Sequence, residues 1–170
     1  MLSVIIVSYN VRFFLEQCLY AASRASQHLA VEVIVVDNHS SDGTVSYLKP
    51  LFPSVTWVVN DVNAGFGRAC NQGLAKCKGE LVLFLNPDTL IPEDSLAACI
   101  RYLQETPAAG ALGVPMISGR GKYLPESKRS FPAPLASFYK LSGLATLFPS
   151  SGHFNRYALG NQDAWQTQQV

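Results

Sequence analysis

The sequence has almost no net charge: 13 basic and 12 acidic residues leave a formal +1. Without a global field, neither a dedicated nucleic-acid surface nor a polybasic membrane anchor is expected. No apolar run approaches the roughly 18 residues a membrane helix needs, and no basic, apolar and small-residue leader precedes the first apolar stretch. The four cysteines, Cys18, Cys70, Cys77 and Cys99, lack zinc-type spacing. Set in helical-looking stretches, they read as small, mostly buried, reduced thiols of a soluble cytosolic protein. His28, His39 and His153 share no metal-ligand spacing and no visible Ser or Cys partner; His28 and His153 read as surface residues, His39 as a loop residue. The stretch Asn63 to Asn71 contains Gly65 and Gly67, yet it lacks the three-glycine spacing of a dinucleotide fingerprint and the Gly-Lys-Ser/Thr ending of a P-loop. There is no internal repeat, and no linker is long enough to separate one domain from another. At 170 residues the chain is one domain's worth and can bury a full core without disulfide or metal staples.

Four apolar strands are present, and each runs into a polar ending. Val4 to Val7 leads to Ser8-Tyr9-Asn10, Val33 to Val36 to Asp37-Asn38, Val55 to Val59 to Asn60-Asp61, and Leu81 to Leu85 to Asn86-Pro87-Asp88. Near-continuous Val/Ile/Leu runs suit strands covered on both faces of a parallel sheet. Polar groups at the carboxyl ends of such strands mark where an open α/β sheet binds its ligand.

Between the strands lie helical patterns. Phe13, Leu15, Cys18, Leu19 and Ala22 form one apolar face. Ser40-Ser41-Asp42-Gly43-Thr44 offers a Ser or Asp N-cap to a helix that runs through Leu48 until Pro50 and Pro53 end it. Phe66 to Lys76 recurs at helical spacing with Gly79 closing it, and Pro92-Glu93-Asp94 starts a helix whose buried face is Leu96 to Leu103. Ala111 to Ile117, broken by Pro115, reads as an edge or terminal strand. Beyond Ser118 the pattern fades, with Leu135 to Leu147 hinting at a helix. Residues 1–117 are thus expected to form an α/β domain, and residues 118–170 an irregular extension of it.

The strand ends supply the candidate chemistry. Asp88 leaves a strand through a turn stiffened by Pro87. It suits a hard cation, which one or two carboxylates and phosphate oxygens commonly hold, with Asn86 as a neutral neighbour; capping the turn before Pro92 is the other reading. Asp37 has the equivalent exit of the second strand, where nucleotide folds place an acid that accepts from ribose or base; it could equally cap the turn ahead of Ser40. Arg68 and Asn71 are three residues apart, on one helical face. A helix starting near Gly65 aims backbone N–H groups above the sheet, which favours phosphate; Arg68 as a plain exposed cation is the alternative.

Taken in order, Ser3 to Asn10, Val33 to Asn38 with Ser40 to Thr44, Asn63 to Gly73, and Leu83-Phe84-Leu85-Asn86-Pro87-Asp88 resemble the inverting glycosyltransferases of family 2. The resemblance is strong over Met1 to Ile117, and the Asn-Pro-Asp form is similar to the bacterial rhamnosyltransferase-like branch that builds cell-surface polysaccharide. It implies a GT-A, Rossmann-like fold of nucleotide-diphospho-sugar transferase type, a three-layer sandwich around a mostly parallel sheet. It also implies a UDP or dTDP sugar as donor and a saccharide or lipid-linked acceptor. Tyr9 and Asp37 would meet base and ribose, with Ser8, Asn10 and Asn86 nearby. Arg68, Asn63 and Gly65 would border the nucleotide, and Asp88 would reach the diphosphate through Mg2+ or Mn2+. Work at the inner face of the membrane, with peripheral association through the acceptor, goes with that acceptor.

Two departures qualify the resemblance. The family's usual Asp-X-Asp is here Asn86-Pro87-Asp88, one carboxylate fewer. Inversion needs a base for the acceptor hydroxyl, which the resemblance locates beyond the strand-five region; the late acids Glu126 and Asp163 follow no convincing strand. The expectation is a donor-binding half without transfer activity. Lys122, Lys128 and Arg129 could approach an anionic acceptor or form a solvated basic turn. A sugar nucleotidyltransferase and a non-catalytic α/β binding module are the rival readings. The first is disfavoured because Ser8-Tyr9-Asn10-Val11-Arg12 stands where its glycine-rich loop would follow the first strand.

Overall fold

A computed structural model describes residues 1–124, 127, 134–148, 151 and 153–154. Its contacts divide into two compact units, Met1–Ala108 and Ala109–Val170.

The first unit alternates strand and helix: β1 (Leu2–Ser8), α1 (Arg12–Ala25), β2 (Val31–Asp37), α2 (Thr44–Leu51), β3 (Thr56–Val59), α3 (Phe66–Leu74), β4 (Leu81–Leu85) and α4 (Ser95–Glu105). All pairings are parallel and the strand order is β3-β2-β1-β4. Strand side chains alternate between faces, so each face has its own helices. Leu2, Val4 and Ile6 of β1, with Val35 and Leu85, pack against Leu15, Cys18 and Leu19 of α1, Leu48 of α2 and Leu96 of α4. The opposite face carries Ile34 and Val36 against Ala69 of α3. Each fully buried aliphatic side chain contributes about 1.5–3 kcal/mol. The result is the three-layer, parallel-sheet architecture that the strand patterns predict.

Coverage of the second face is partial. Helix α3 lies over β1 and β2, and Gly73 lets it approach so closely that a Cβ there would stand 2.6 Å from Ile5 Cγ2. Val82 and Phe84 of β4 remain exposed, Phe84 by 52%, so the expectation of strands buried on both faces holds for β1 and β2 but not for β4.

Several local expectations are corrected. Helix α2 continues through Pro50 to Leu51; a proline one residue from the end forfeits a hydrogen bond only in the last turn. Its N-cap is Gly43, at φ 78°, while Asp42 accepts from the Thr44 N–H and hydroxyl. Phe13 does not join the α1 core face but lies exposed under the Arg12 guanidinium. Helix α3 ends at Leu74, leaving Cys77 outside any helix. Gly79 does not close it: a Cβ there would lie 2.7 Å from the Met1 carbonyl oxygen and 2.8 Å from the Ser3 nitrogen. The backbone of β1 cannot yield as a side chain can. Gly79→Ala is therefore expected to destabilise the protein by about 2 kcal/mol, read as a lower urea midpoint at unchanged m-value; an unchanged midpoint would refute this account.

The second unit contains β5 (Met116–Ile117) paired antiparallel with β6 (Tyr123–Leu124), then α5 (Pro134–Leu141) and α6 (Leu144–Leu147). The run Ala111 to Ile117 thus forms two strand residues outside the parallel sheet. Gly110 and Gly113 raise the ordering cost there and Pro115 withholds an N–H. The helix suggested over Leu135 to Leu147 is split where Gly143 takes φ 80°.

Candidate active site

The strand order reverses between β1 and β4. From β1 the chain moves outward through β2 to β3, then crosses to the far side of β1. Open α/β sheets bind ligands outside the carboxyl ends of the strands at such a reversal. The polar endings all belong to that rim, because the four strands of this sheet are parallel: Ser8 pairs with Asp37, Asp37 with Val59, and β4 ends with Leu85 opposite Ile6.

Two buried oxygens on this rim lack partners among the described residues, Ser8 Oγ and Asp37 Oδ1. They belong to residues directly opposed on adjacent strands. Asp37 is only 1% exposed, and a buried acceptor left unmade costs about 1–3 kcal/mol. Its second oxygen, Oδ2, accepts the Ser40 N–H at 2.9 Å. One oxygen of the carboxylate thus caps the turn, and the other has no partner among the described residues.

A set of amides builds the neighbouring wall. Asn38, buried beside Asp37, donates from Nδ2 to Asn63 Oδ1 at 2.7 Å, and its own Oδ1 accepts from the Ala64 N–H at 2.8 Å and from Asn60 Nδ2 at 3.2 Å. Asn60 Nδ2 also donates to Gln72 of α3 at 2.9 Å, and Asn63 Oδ1 accepts the Gly65 N–H at 3.0 Å. The loop before α3 is thereby tied to the end of β2. Gly65, at φ 81°, ψ 157°, has the conformation that glycine allows at the N-cap of α3. Arg68 follows in the first turn of α3, exposed and without an ion pair or hydrogen bond among the described residues. The sequence reading missed Asn38 as the hub; its only signal was a second amide-bearing residue directly after Asp37.

The β1–α1 and β2–α2 loops are clamped together. Asn10 Oδ1 accepts the Ser41 N–H at 2.8 Å, and the Asn10 N–H donates to Ser40 Oγ at 2.9 Å. Asp42 Oδ2 accepts the Arg12 N–H at 3.0 Å. Asn10 is thus engaged with the loop, whereas Tyr9 beside it is half exposed. Burial pushes the Asp42 carboxyl up, but the Thr44 hydroxyl and the Arg12 and Thr44 N–H groups outweigh it and hold the group below its ordinary value of 3.8. A lowered folded pKa stabilises above the unfolded value, and that stability is lost as pH falls through the folded one. Asp42→Asn is expected to cost about 1 kcal/mol at neutral pH and to flatten the loss of stability on acidification below 3.8. Parallel urea melts of both proteins across that range test it; parallel pH slopes would contradict it.

Across the reversal, Asn86 and Asp88 are exposed after β4. The Asn86 carbonyl oxygen accepts from the Cys18 thiol of α1 at 3.6 Å. Burial first, and the Asp88 charge second, push that thiol up to about 12. Asp88 makes no hydrogen bond or ion pair among the described residues, which leaves its carboxylate available to a cation. The described residues hold no cluster of three or more metal-ligating side chains. What they offer fits a cation whose shell is completed by substrate phosphates and water, the usual condition of Mg2+.

The described residues thus define an open parallel α/β protein of Rossmann-like, GT-A type, with its polar rim at the sheet's reversal. The sequence profile of Glycosyl transferase family 2 matches residues 3–164, and the chain belongs to that family. It is 30% identical over 140 residues to an N-acetylglucosaminyl-diphospho-decaprenol L-rhamnosyltransferase of Mycobacterium tuberculosis, covering 75% of this chain and 45% of the relative. The structure of TarS from Staphylococcus aureus in complex with UDP matches with a TM-score of 0.60 at 24% identity, over 79% of this chain and 39% of that one. The mannosyltransferase PcManGT from Pyrobaculum calidifontis, in complex with GDP-Man and Mn2+, matches with a TM-score of 0.56 at 26% identity, over 70% and 36%. The chain spans just under half the length of the first curated relatives it matches. Among the described residues no helix is long and apolar enough to cross a membrane.

Proposed function

We propose that this chain holds the nucleotide-diphosphate sugar of an inverting hexosyltransferase that acts in cell-surface polysaccharide synthesis. The observation that carries this reading is the opposed pair of buried, unpartnered oxygens, Ser8 Oγ and Asp37 Oδ1, beside the sheet's reversal. Asp37 Oδ1 accepts from a ribose hydroxyl or base N–H, and Tyr9 offers a half-exposed ring to the base. Asn63 and Gly65 border the nucleotide on the wall that Asn38 fixes, and Arg68 supplies a cation at the α3 N-terminus, where backbone N–H groups also favour phosphate. Asn10 acts by holding the Ser40-Ser41 loop in place.

Asp88, with Asn86 nearby, would hold Mg2+ or Mn2+, which when bound would supply positive charge to offset that of the departing nucleoside diphosphate. With the donor fixed at this rim, the acceptor hydroxyl attacks the anomeric carbon from the face opposite the leaving group and gives its proton to a base. Glu126 and Asp163, the late acids of the sequence, lie outside the described residues, as do Lys128 and Arg129. The mycobacterial relative's name contains an N-acetylglucosaminyl-diphospho-decaprenol, which supports a lipid-linked saccharide acceptor here; a cytoplasmic setting at the inner membrane face goes with that acceptor. Residues 1–117 are proposed as the donor-binding domain.

Calorimetric titration with UDP and dTDP, with and without Mn2+, tests the reading. Saturable binding of either nucleotide, tightened by the metal, is expected. Absence of binding to both would favour a non-catalytic α/β module.

A further inference from the structure

The near-neutral total charge conceals a division along the chain. Residues 1–108 carry seven basic and ten acidic groups, a formal −3, whereas residues 109–170 carry six basic and two acidic groups, a formal +4. The basic excess thus falls wholly in the second compact unit. Arg120 and Lys122, in the turn between β5 and β6, are both exposed.

The same unit exposes large apolar side chains on short helices. Leu135, Phe138 and Leu141 recur at three-residue spacing on α5, which places them along one side of that helix. Leu141 is 89% exposed, and Leu147 of α6 is 72% exposed. Their outward position has a local cause. Tyr139 takes the inward-facing role on α5: its hydroxyl is 2.9 Å from His153 Nε2 and its ring meets Phe154 edge-on at 5.2 Å. Phe148 packs on Phe154 at 5.4 Å. That aromatic cluster joins the helices to the following turn, while Leu135, Phe138 and Leu141 each stay more than half exposed.

We propose that the second unit is a peripheral membrane-docking element, in which α5 and α6 insert Leu135, Phe138, Leu141 and Leu147 into the headgroup boundary of an anionic bilayer. Apolar side chains alone would suit any hydrophobic partner; the basic excess confined to the same unit selects an anionic lipid surface. The contact needs no acceptor, so it goes beyond association through a lipid-linked substrate.

Co-sedimentation of the 170-residue chain with phosphatidylcholine vesicles, with and without phosphatidylglycerol, tests this directly. Binding to the anionic vesicles is expected, weakening as salt is raised. The triple variant Phe138→Ser, Leu141→Ser, Leu147→Ser should lower partitioning at least about a hundredfold. Arg120→Gln and Lys122→Gln should each lower it about fivefold on anionic vesicles only. Far-UV circular dichroism melts establish that each variant is folded; if the triple variant is not, the two charge variants and the salt series still decide. No binding to anionic vesicles, or binding that survives the triple variant intact, overturns the proposal. So does a self-associating chain that the triple variant turns monomeric while vesicle binding stays absent, which would make the face a contact between copies.

Discussion

Asp37→Asn is expected to weaken UDP or dTDP binding by about 10- to 100-fold while leaving the fold in place. The substitution is nearly isosteric. The new amide oxygen can still accept the Ser40 N–H that Oδ2 accepts now, so the turn keeps its cap. What changes is the other position, where an ionised acceptor becomes an NH2 donor facing the ligand's own donors. A hydrogen bond to a charged group contributes about 1.5–3 kcal/mol, and an opposed donor pair forfeits all of it. Unfolding midpoints of the two proteins should lie close together, because the Ser40 cap is kept and the other oxygen has no partner among the described residues to lose. Calorimetry with either nucleotide reads the loss. Undiminished affinity in a folded Asp37→Asn protein would take Asp37 out of the site.

Asp88→Ala should remove the metal-dependent part of nucleotide binding and little else. Among the described residues, Asp88 is the one carboxylate this reading gives to the cation, since Asn86 stands where the family resemblance implies a second. Loss of an outer-shell partner already costs a metal site about 10- to 100-fold, and loss of the carboxylate itself should cost at least as much. Titrations of UDP with and without Mn2+ should differ in the parent chain and coincide in the variant. Uridine, which has no phosphates, serves as the internal control and should bind both proteins alike. A metal increment that persists in Asp88→Ala would assign the ion to other groups.

The sheet and its rim were legible because the relevant signals are local. Short Val/Ile/Leu runs bounded by turn residues suit the strands of a covered parallel sheet, and the residue after each run then stands at the same end of that sheet. Asp37 and Asp88 could therefore be placed at one end of the sheet without knowing strand order. What was not legible depends on partners distant in sequence. Gly79 looked like a helix terminator, yet its requirement comes from the β1 backbone more than seventy residues earlier. Asn38 gave no sign of holding Asn60, Asn63 and Ala64, because amide networks have no fixed spacing. Pro50 looked like a helix breaker, but a break costs little one residue from the end.

Charge was the least legible feature. A total of +1 argued against a dedicated nucleic-acid surface or a polybasic membrane anchor; that total sums two compact units of opposite sign. The family resemblance supplied the class of activity, which membership in Glycosyl transferase family 2 now supports. Alone it could not have shown that Asn10 is engaged with Ser40 and Ser41, or that one Asp37 oxygen is engaged while the other has no partner among the described residues.

The central claim is that one rim of the sheet, spanning the ends of β1, β2 and β4 and the start of α3, grips the donor's nucleoside diphosphate. Amide chemical-shift mapping of the 15N-labelled chain during titration with UDP and Mg2+ tests it most directly. The account predicts shifts concentrated at Ser8 to Asn10, Asp37 to Ser40, Asn63 to Arg68 and Asn86 to Thr89. Shifts gathered instead at Ser3, Glu32 and Gly79, on the opposite rim, would contradict it.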